Sequence, residues 1–241
     1  MVPSARAPVA AEAAAADAAA SRKKDLEGSG GVQGSLPWLV SEPSPDRLPD
    51  GFFERPVLDV ARDLLGKRLV STVGGKRAVG VIVETEAYQG PDDPASHAAT
   101  RSGRTHRNRA MFGPGGCAYV YRSYGVHWCM NVVTGVEGRA EAVLIRGIEP
   151  VEGIDIVVAR RGGREPLAAG PGRLCEALAI TGDLYGHRLN QEPLELVAGW
   201  QVPDSLVGVS GRIGVSAAAE RPFRFYVLGS PGVSPHRLTA P

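Results

Sequence analysis

Cysteine is scarce in this chain of 241 residues: there are three, Cys117, Cys129 and Cys175. An odd number without metal-site spacing excludes a disulfide framework and a structural zinc, and points to a reduced, intracellular setting. No apolar run is long enough to cross a bilayer, so no membrane association is expected. The N-terminal stretch MVPSARAPVAAEAAAADAAASRKKDLEGSG is broken by Glu12 and Asp17, and its charge cluster follows the alanines. That order is wrong for a secretory signal. Several catalytic signatures are also missing: a Walker loop, a strand-coupled GxGxxG, a CxxC pair, HExxH and GxSxG. The chemistry left open is hydrolysis without a metal or organic cofactor.

Acid is missing from one long stretch. The net charge is +1, but residues 1–50 hold five Lys/Arg and seven Asp/Glu, leaving +3 for the remainder. Within it, Pro94 to Val136 carries Arg101, Arg104, Arg107, Arg109 and Arg122, three histidines and no carboxylate. A merely solvated face mixes signs, so this stripe favours an anionic partner, with phosphate the obvious candidate.

Residues 1–48 are rich in Ala, Ser, Pro and Gly and are expected to form a disordered tail. The folded unit, 49–241, opens with RPVLDVARDLLGK, whose Val57, Val60, Ala61, Leu64 and Leu65 recur at helical spacing between Pro56 and Gly66. Two strand-like runs meet at Gly74-Gly75 as a hairpin. A polar loop follows, Gln89 to Gly116, of a length usually functional or disordered. CAYVYRSYGVHWCMNVVT reads as a second, protruding hairpin with Tyr124 near its tip. AEAVLIRGIEP and RPFRFYVLG read as strands; VEGIDIVVARR and GRLCEALAI read as helices. The sum is one α+β domain: a largely antiparallel β-sheet with flanking helices.

The stretch IVETEAYQGPDDPASH places two carboxylates in a strand that otherwise looks buried. Glu84, Glu86 and Tyr88 are two apart and share a face. Taken alone that pattern fits an exposed edge better, but this strand empties into the arginine-rich loop that holds His97. Tyr119 and Tyr121 share a face of the next hairpin, and each alone is an ordinary packing residue. Tyr124, at a tip beside arginines, suits a wedge between bases, and flat rings beside a carboxylate suit a pocket for a planar base. Arg146, alone among aliphatics in AVLIRGIEP, needs an anionic partner if buried, and Glu84 or Glu86 would serve. Gly170-Pro171-Gly172 with Arg173 at a helix start offers a weak phosphate signal.

Taken in order and spacing, VIVETEAYQGPDDPASH, RNRAMFGPGGCAYVYRSYGVHWCMN, LIRGIEP, GPGRLCEALAI and RPFRFYVLGSPGVS resemble the alkyladenine (3-methyladenine) DNA glycosylase family. The resemblance runs from about Phe52 to Val233. It implies a base-excision repair enzyme, cytoplasmic and nucleoid-associated, acting as a monomer on double-stranded DNA with damaged purines. It would flip 3-methyladenine, 7-methylguanine or the more demanding hypoxanthine and hydrolyse the N-glycosidic bond. The resemblance implies Glu86 as general base with Arg146 beside it, and Tyr88, His97, Tyr121 and Asn131 around the everted base. Tyr124 would fill the gap in the duplex, and Arg107, Asn108, Arg109 and Arg173 would lie along the DNA backbone. Glu84 would be a structural neighbour. The chain departs from the family at Val126 and His127, which bear on opposite-strand contacts. A non-catalytic damage-binding module is the competing reading; hydrolysis of free nucleosides leaves the arginine stripe without a purpose.

Overall fold

The computed structural model of the chain describes residues 47–96 and 103–235. The expected disordered tail and His97 therefore lie outside the described residues. β-Branched and aliphatic runs pair into a nine-stranded sheet in which every pairing is antiparallel. Its strands are β1 (Arg68–Ser71), β2 (Ala78–Tyr88), β3 (Ala118–Ser123), β4 (His127–Thr134) and β5 (Glu141–Glu152). They are followed by β6 (Asn190–Gln191), β7 (Leu194–Val197), β8 (Val207–Ser210) and β9 (Arg224–Val227). The order is β3-β4-β5-β2-β1-β7-β6, with β9 pairing both β2 and β8.

β2 is the pivot. β5 follows one of its edges from Val79 to Tyr88. The other edge is shared, with β1 on Ala78–Val81 and β9 on Glu84–Glu86. Three helices, α1 (Val57–Asp63), α2 (Ile154–Arg160) and α3 (Pro171–Ala177), join one continuous hydrophobic cluster with the strands. Helical spacing turns Val57, Val60 and Ala61 of α1 inward, as predicted. The chain leaves α1 through Gly66, at φ 84, where a Cβ would lie 2.5 Å from the Trp200 carbonyl oxygen. Only glycine satisfies both the turn and that approach. The α+β class, the antiparallel sheet, the flanking helices and the β3–β4 hairpin are as the sequence predicts.

Alternation along β2 decides what reaches each side of the sheet. Thr85 donates its hydroxyl to the Ala61 carbonyl of α1 at 2.8 Å, and Ala87 joins the core. Glu84, Glu86 and Tyr88 therefore point to the opposite face. Register carries that face sideways. Leu144 lies opposite Glu86, Asn131 opposite Leu144, Tyr119 opposite Asn131, and Tyr121 opposite Cys129. Arg146 joins the same face because pairing skips it: Glu84 meets Gly147 and Thr85 meets Ile145. The bulge re-aims the guanidinium.

Candidate active site

Both glutamates are fully buried, so the exposed-edge alternative does not hold. Their hydrogen bonds separate them. Glu84 accepts from Arg146 Nε (3.1 Å), Arg224 Nε (2.7 Å), and both the amide and hydroxyl of Ser234 (2.7 Å each). Four donors, two of them cationic, saturate a carboxylate's roughly four acceptor positions. Glu86 accepts three: the Ile213 amide on Oε1 at 2.7 Å, and on Oε2 the Tyr88 hydroxyl at 3.0 Å and Arg146 Nη1 at 3.2 Å. Among the described residues, about one acceptor position of Glu86 stays open. Arg146, predicted to pair with one carboxylate, bridges both.

The electrostatics match this division. Burial pushes the Glu86 carboxyl above its ordinary pKa, against the opposing pull of Arg146, the Ile213 amide and the Tyr88 hydroxyl. Burial also lowers the tendency of Arg146 to stay charged, but Glu86 and Glu84 outweigh it and hold its pKa above the usual value. Tyr88 is pushed well up, by burial first and then by Glu86, so it remains a phenol that donates. Tyr121 is raised by burial, with Cys129, Tyr119 and the Glu86 charge adding to it. Tyr119 and Tyr121 stack at 5.3 Å between ring centroids, and Asn131 donates Nδ2 to the Tyr119 carbonyl at 3.1 Å. The sheet thus brings Glu86, Tyr88, Tyr121, Asn131 and Arg146 to one face.

A sequence model described as methylpurine-DNA glycosylase matches residues 51–231. The chain belongs to the methylpurine-DNA glycosylase family. Among its relatives, a Methanoculleus marisnigri protein named "Putative 3-methyladenine DNA glycosylase" is 50% identical over 192 residues, covering 78% of this chain and 98% of that one. Proteins of the same name from Agrobacterium fabrum and Myxococcus xanthus are each 50% identical over 78% of this chain, covering 92% and 93% of their own lengths.

A methylpurine-DNA glycosylase works on DNA, and this member offers a basic face beside the site. At the outer edge of β3 an open cavity of about 450 Å³ is lined by His106, Arg107, Arg109, Arg122, Trp128 and Tyr185, among others. None of the lining residues is acidic. Arg107, Arg109 and Arg173 are exposed, whereas Asn108 is buried and bonded to Thr105 and the Gly103 carbonyl of its own turn. Arg173 turns one Nη back to the Ala169 carbonyl, and the Gly170 amide is taken by the Arg146 carbonyl. Tyr124 is 95% exposed. Among the described residues no helix is long and apolar enough to cross a membrane, and no group of three or more His, Cys, Asp or Glu is placed to hold a metal ion.

Five residues around the site escaped the sequence reading: Asp93, Arg212, Ile213, Arg224 and Ser234. Arg212 carried the same signal as Arg146, a lone arginine in an otherwise apolar and glycine-rich run, GVSGRIGV. Ser234 and the Ile213 amide carried none, because only the fold brings these positions near β2.

Proposed function

We propose that residues 49–241 form a monofunctional, monomeric DNA glycosylase that everts alkylated purines and hydrolyses their bond to deoxyribose, in the cytoplasm, on nucleoid DNA. The supporting observation is the open acceptor position on a buried carboxylate beside a buried cation. A water donating to Glu86 Oε1 attacks C1′ of the sugar. The new C1′–O bond forms as the C1′–N bond breaks, the water proton passes to Glu86, and the purine leaves with the bonding pair. A positively charged lesion such as 3-methyladenine or 7-methylguanine leaves neutral, so little further acid is required. Hypoxanthine leaves as an anion unless protonated, and is excised more slowly. The Glu86 charge also stabilises the oxocarbenium character of the reacting sugar. Arg146 holds the carboxylate ionised and oriented. Tyr88, Tyr121 and His97 enclose the base, and Asn131 meets its edge.

Water rather than an enzyme amine fits as the nucleophile, because among the described residues the only lysines are Lys67 and Lys76. Lys67 donates to the Trp200 carbonyl and Lys76 lies in the β1–β2 turn, both away from the Glu86 face. Arg107, Arg109 and Arg173 contact the phosphate backbone, with Asn108 bracing the turn from which the first two project.

The test is single-turnover release of bases from duplexes carrying 3-methyladenine, 7-methylguanine, hypoxanthine or undamaged adenine. The native protein is expected to release the alkylated purines fastest, and Glu86→Gln to bind the same duplexes with excision reduced at least 10²-fold. Full excision by Glu86→Gln refutes the mechanism. Binding without release by the native protein leaves a damage-binding module.

A further inference from the structure

Behind the Glu86 site lies an ion pair with no part in the chemistry described so far. The side chains of Asp93 and Arg212 are completely buried and joined by two hydrogen bonds, Nη2 to Oδ1 at 2.8 Å and Nη1 to Oδ2. Each partner also ties down its own segment. Asp93 accepts from the Gln89 and Ala95 amides at 3.3 and 3.1 Å, closing the turn that leaves β2. Arg212 donates to the Ala87 carbonyl of β2 at 3.0 Å and to the Ala218 carbonyl at 3.2 Å. Its guanidinium lies 4.9 Å from the centre of the Tyr88 ring and 5.1 Å from that of Phe223. The residue after Arg212 is Ile213, whose amide bonds Glu86 at 2.7 Å.

We infer that the Arg212–Asp93 clamp is a positioning device that holds the Ile213 amide on Glu86 and backs the Tyr88 ring, setting both the aim and the ionisation of the general base. This rests on the reading of Glu86 as that base. A buried bidentate pair is poor evidence for stability alone, because its desolvation offsets most of its attraction. Its geometric effect here is specific. It fixes the strand end, the turn after it and the 211–213 segment to one another, and the active carboxylate lies where they meet.

The clamp keeps its own charges. Burial raises the Asp93 carboxyl, but hydrogen bonds from Arg212 and the Ala95 amide, together with the Arg212 charge, bring it below the usual range. Glu86 is surrounded by Arg146 on β5, Tyr88 and Glu84 on β2, Arg224 opposite it on β9, Tyr121 on β3, Cys129 on β4, and Arg212 with the Ile213 amide. Two neutral donors to Glu86 depend on the clamp, the Ile213 amide directly and the Tyr88 hydroxyl through its ring, and the amide is the more tightly tied. Losing it removes a hydrogen bond to the charged form and raises the Glu86 pKa.

The experiment compares Asp93→Asn and Arg212→Lys with the native protein and Glu86→Gln. It measures melting, duplex affinity, and single-turnover excision of 7-methylguanine across pH. Both clamp variants are expected to fold and bind, with excision at neutral pH reduced about tenfold or more. The acid limb of the rate profile should move up by about one pH unit. Arg212→Lys, which keeps the charge but not the two-pronged grip, should show the shift as well. A native midpoint in both variants overturns the clamp, whatever their rates, provided Glu86→Gln is inactive. Native excision by Glu86→Gln instead overturns the base assignment itself. Arg212→Lys is the second route to the same outcomes if Asp93→Asn melts below the assay temperature.

Discussion

Two carboxylates two residues apart look alike in a sequence and differ in what donates to them. Glu84 meets two arginines and Ser234, while Glu86 meets one arginine, one amide and one phenol. That Arg146, if buried, pairs with a carboxylate of β2 was legible because a lone arginine among aliphatics requires an anion; that it bridges both was not. The saturation of Glu84 was not, since Arg224 and Ser234 are 140 and 150 positions away. The raised pKa of Glu86 carries a stability consequence. A carboxyl whose folded pKa is raised binds its proton more tightly folded than unfolded. Its favourable share is present below the unfolded pKa and is lost as pH rises through the folded one. Glu86→Gln mimics the protonated form at all pH values. It is therefore expected to melt above the native protein at pH 8. The gap should narrow as pH falls through the folded pKa and close below the unfolded one, about 4.3. Melting curves of both proteins across that range check it, and a gap independent of pH removes the account of the Glu86 environment.

At the scale of elements, hydrophobic periodicity and turn residues located α1, the β1–β2 hairpin, β5 and the β3–β4 hairpin, because each combines a clear period with glycine or proline at its ends. β6, β7 and β8 were not legible. They are two to four residues long, and their pairing is dictated by β1 and β9 rather than by their own pattern. The bulge at Arg146 was equally hidden, since pairing register is a property of two strands. The β3–β4 hairpin shows an element built against its own local preference. Its turn, closed by the Val126 amide on the Ser123 carbonyl, places Tyr124 at φ 49 and Gly125 at φ 72. Two positive φ values are what Asn-Gly adopts readily, and a bulky aromatic there is strained by about 1–2 kcal/mol. Strain kept in an exposed aromatic points to function. Tyr124→Asn is expected to leave melting unchanged or raise it slightly. It should weaken lesion-duplex affinity about tenfold, the scale of one lost aromatic–base stack. Titrations of native and variant protein against one duplex decide this, and equal affinities would remove the wedge.

For the whole molecule, a net charge of +1 says little until its distribution is known. The arginine stripe and the cavity edge at β3 gather Arg107, Arg109 and Arg122 on one side, with Arg173 exposed at the start of α3. The acidic excess of residues 1–50 sits outside that face in the sequence. Among the described residues, every side-chain hydrogen bond to Glu84 and Glu86 comes from between Tyr88 and Ser234. Residues 1–45 should therefore be dispensable for chemistry and for most of the electrostatic grip. With three to four arginines on phosphates, the logarithm of duplex affinity should fall against the logarithm of salt with a slope of about −3. A protein lacking residues 1–45 is expected to keep both that slope and the native single-turnover rate. A steeper slope in the truncated protein would mean that the acidic tail competes with DNA for the arginine face. A shallower one would assign phosphate contacts to Arg22, Lys23 and Lys24. Either departure would transfer part of the recognition from the folded unit to its N-terminal extension, and an unchanged slope confines it to the sheet edge.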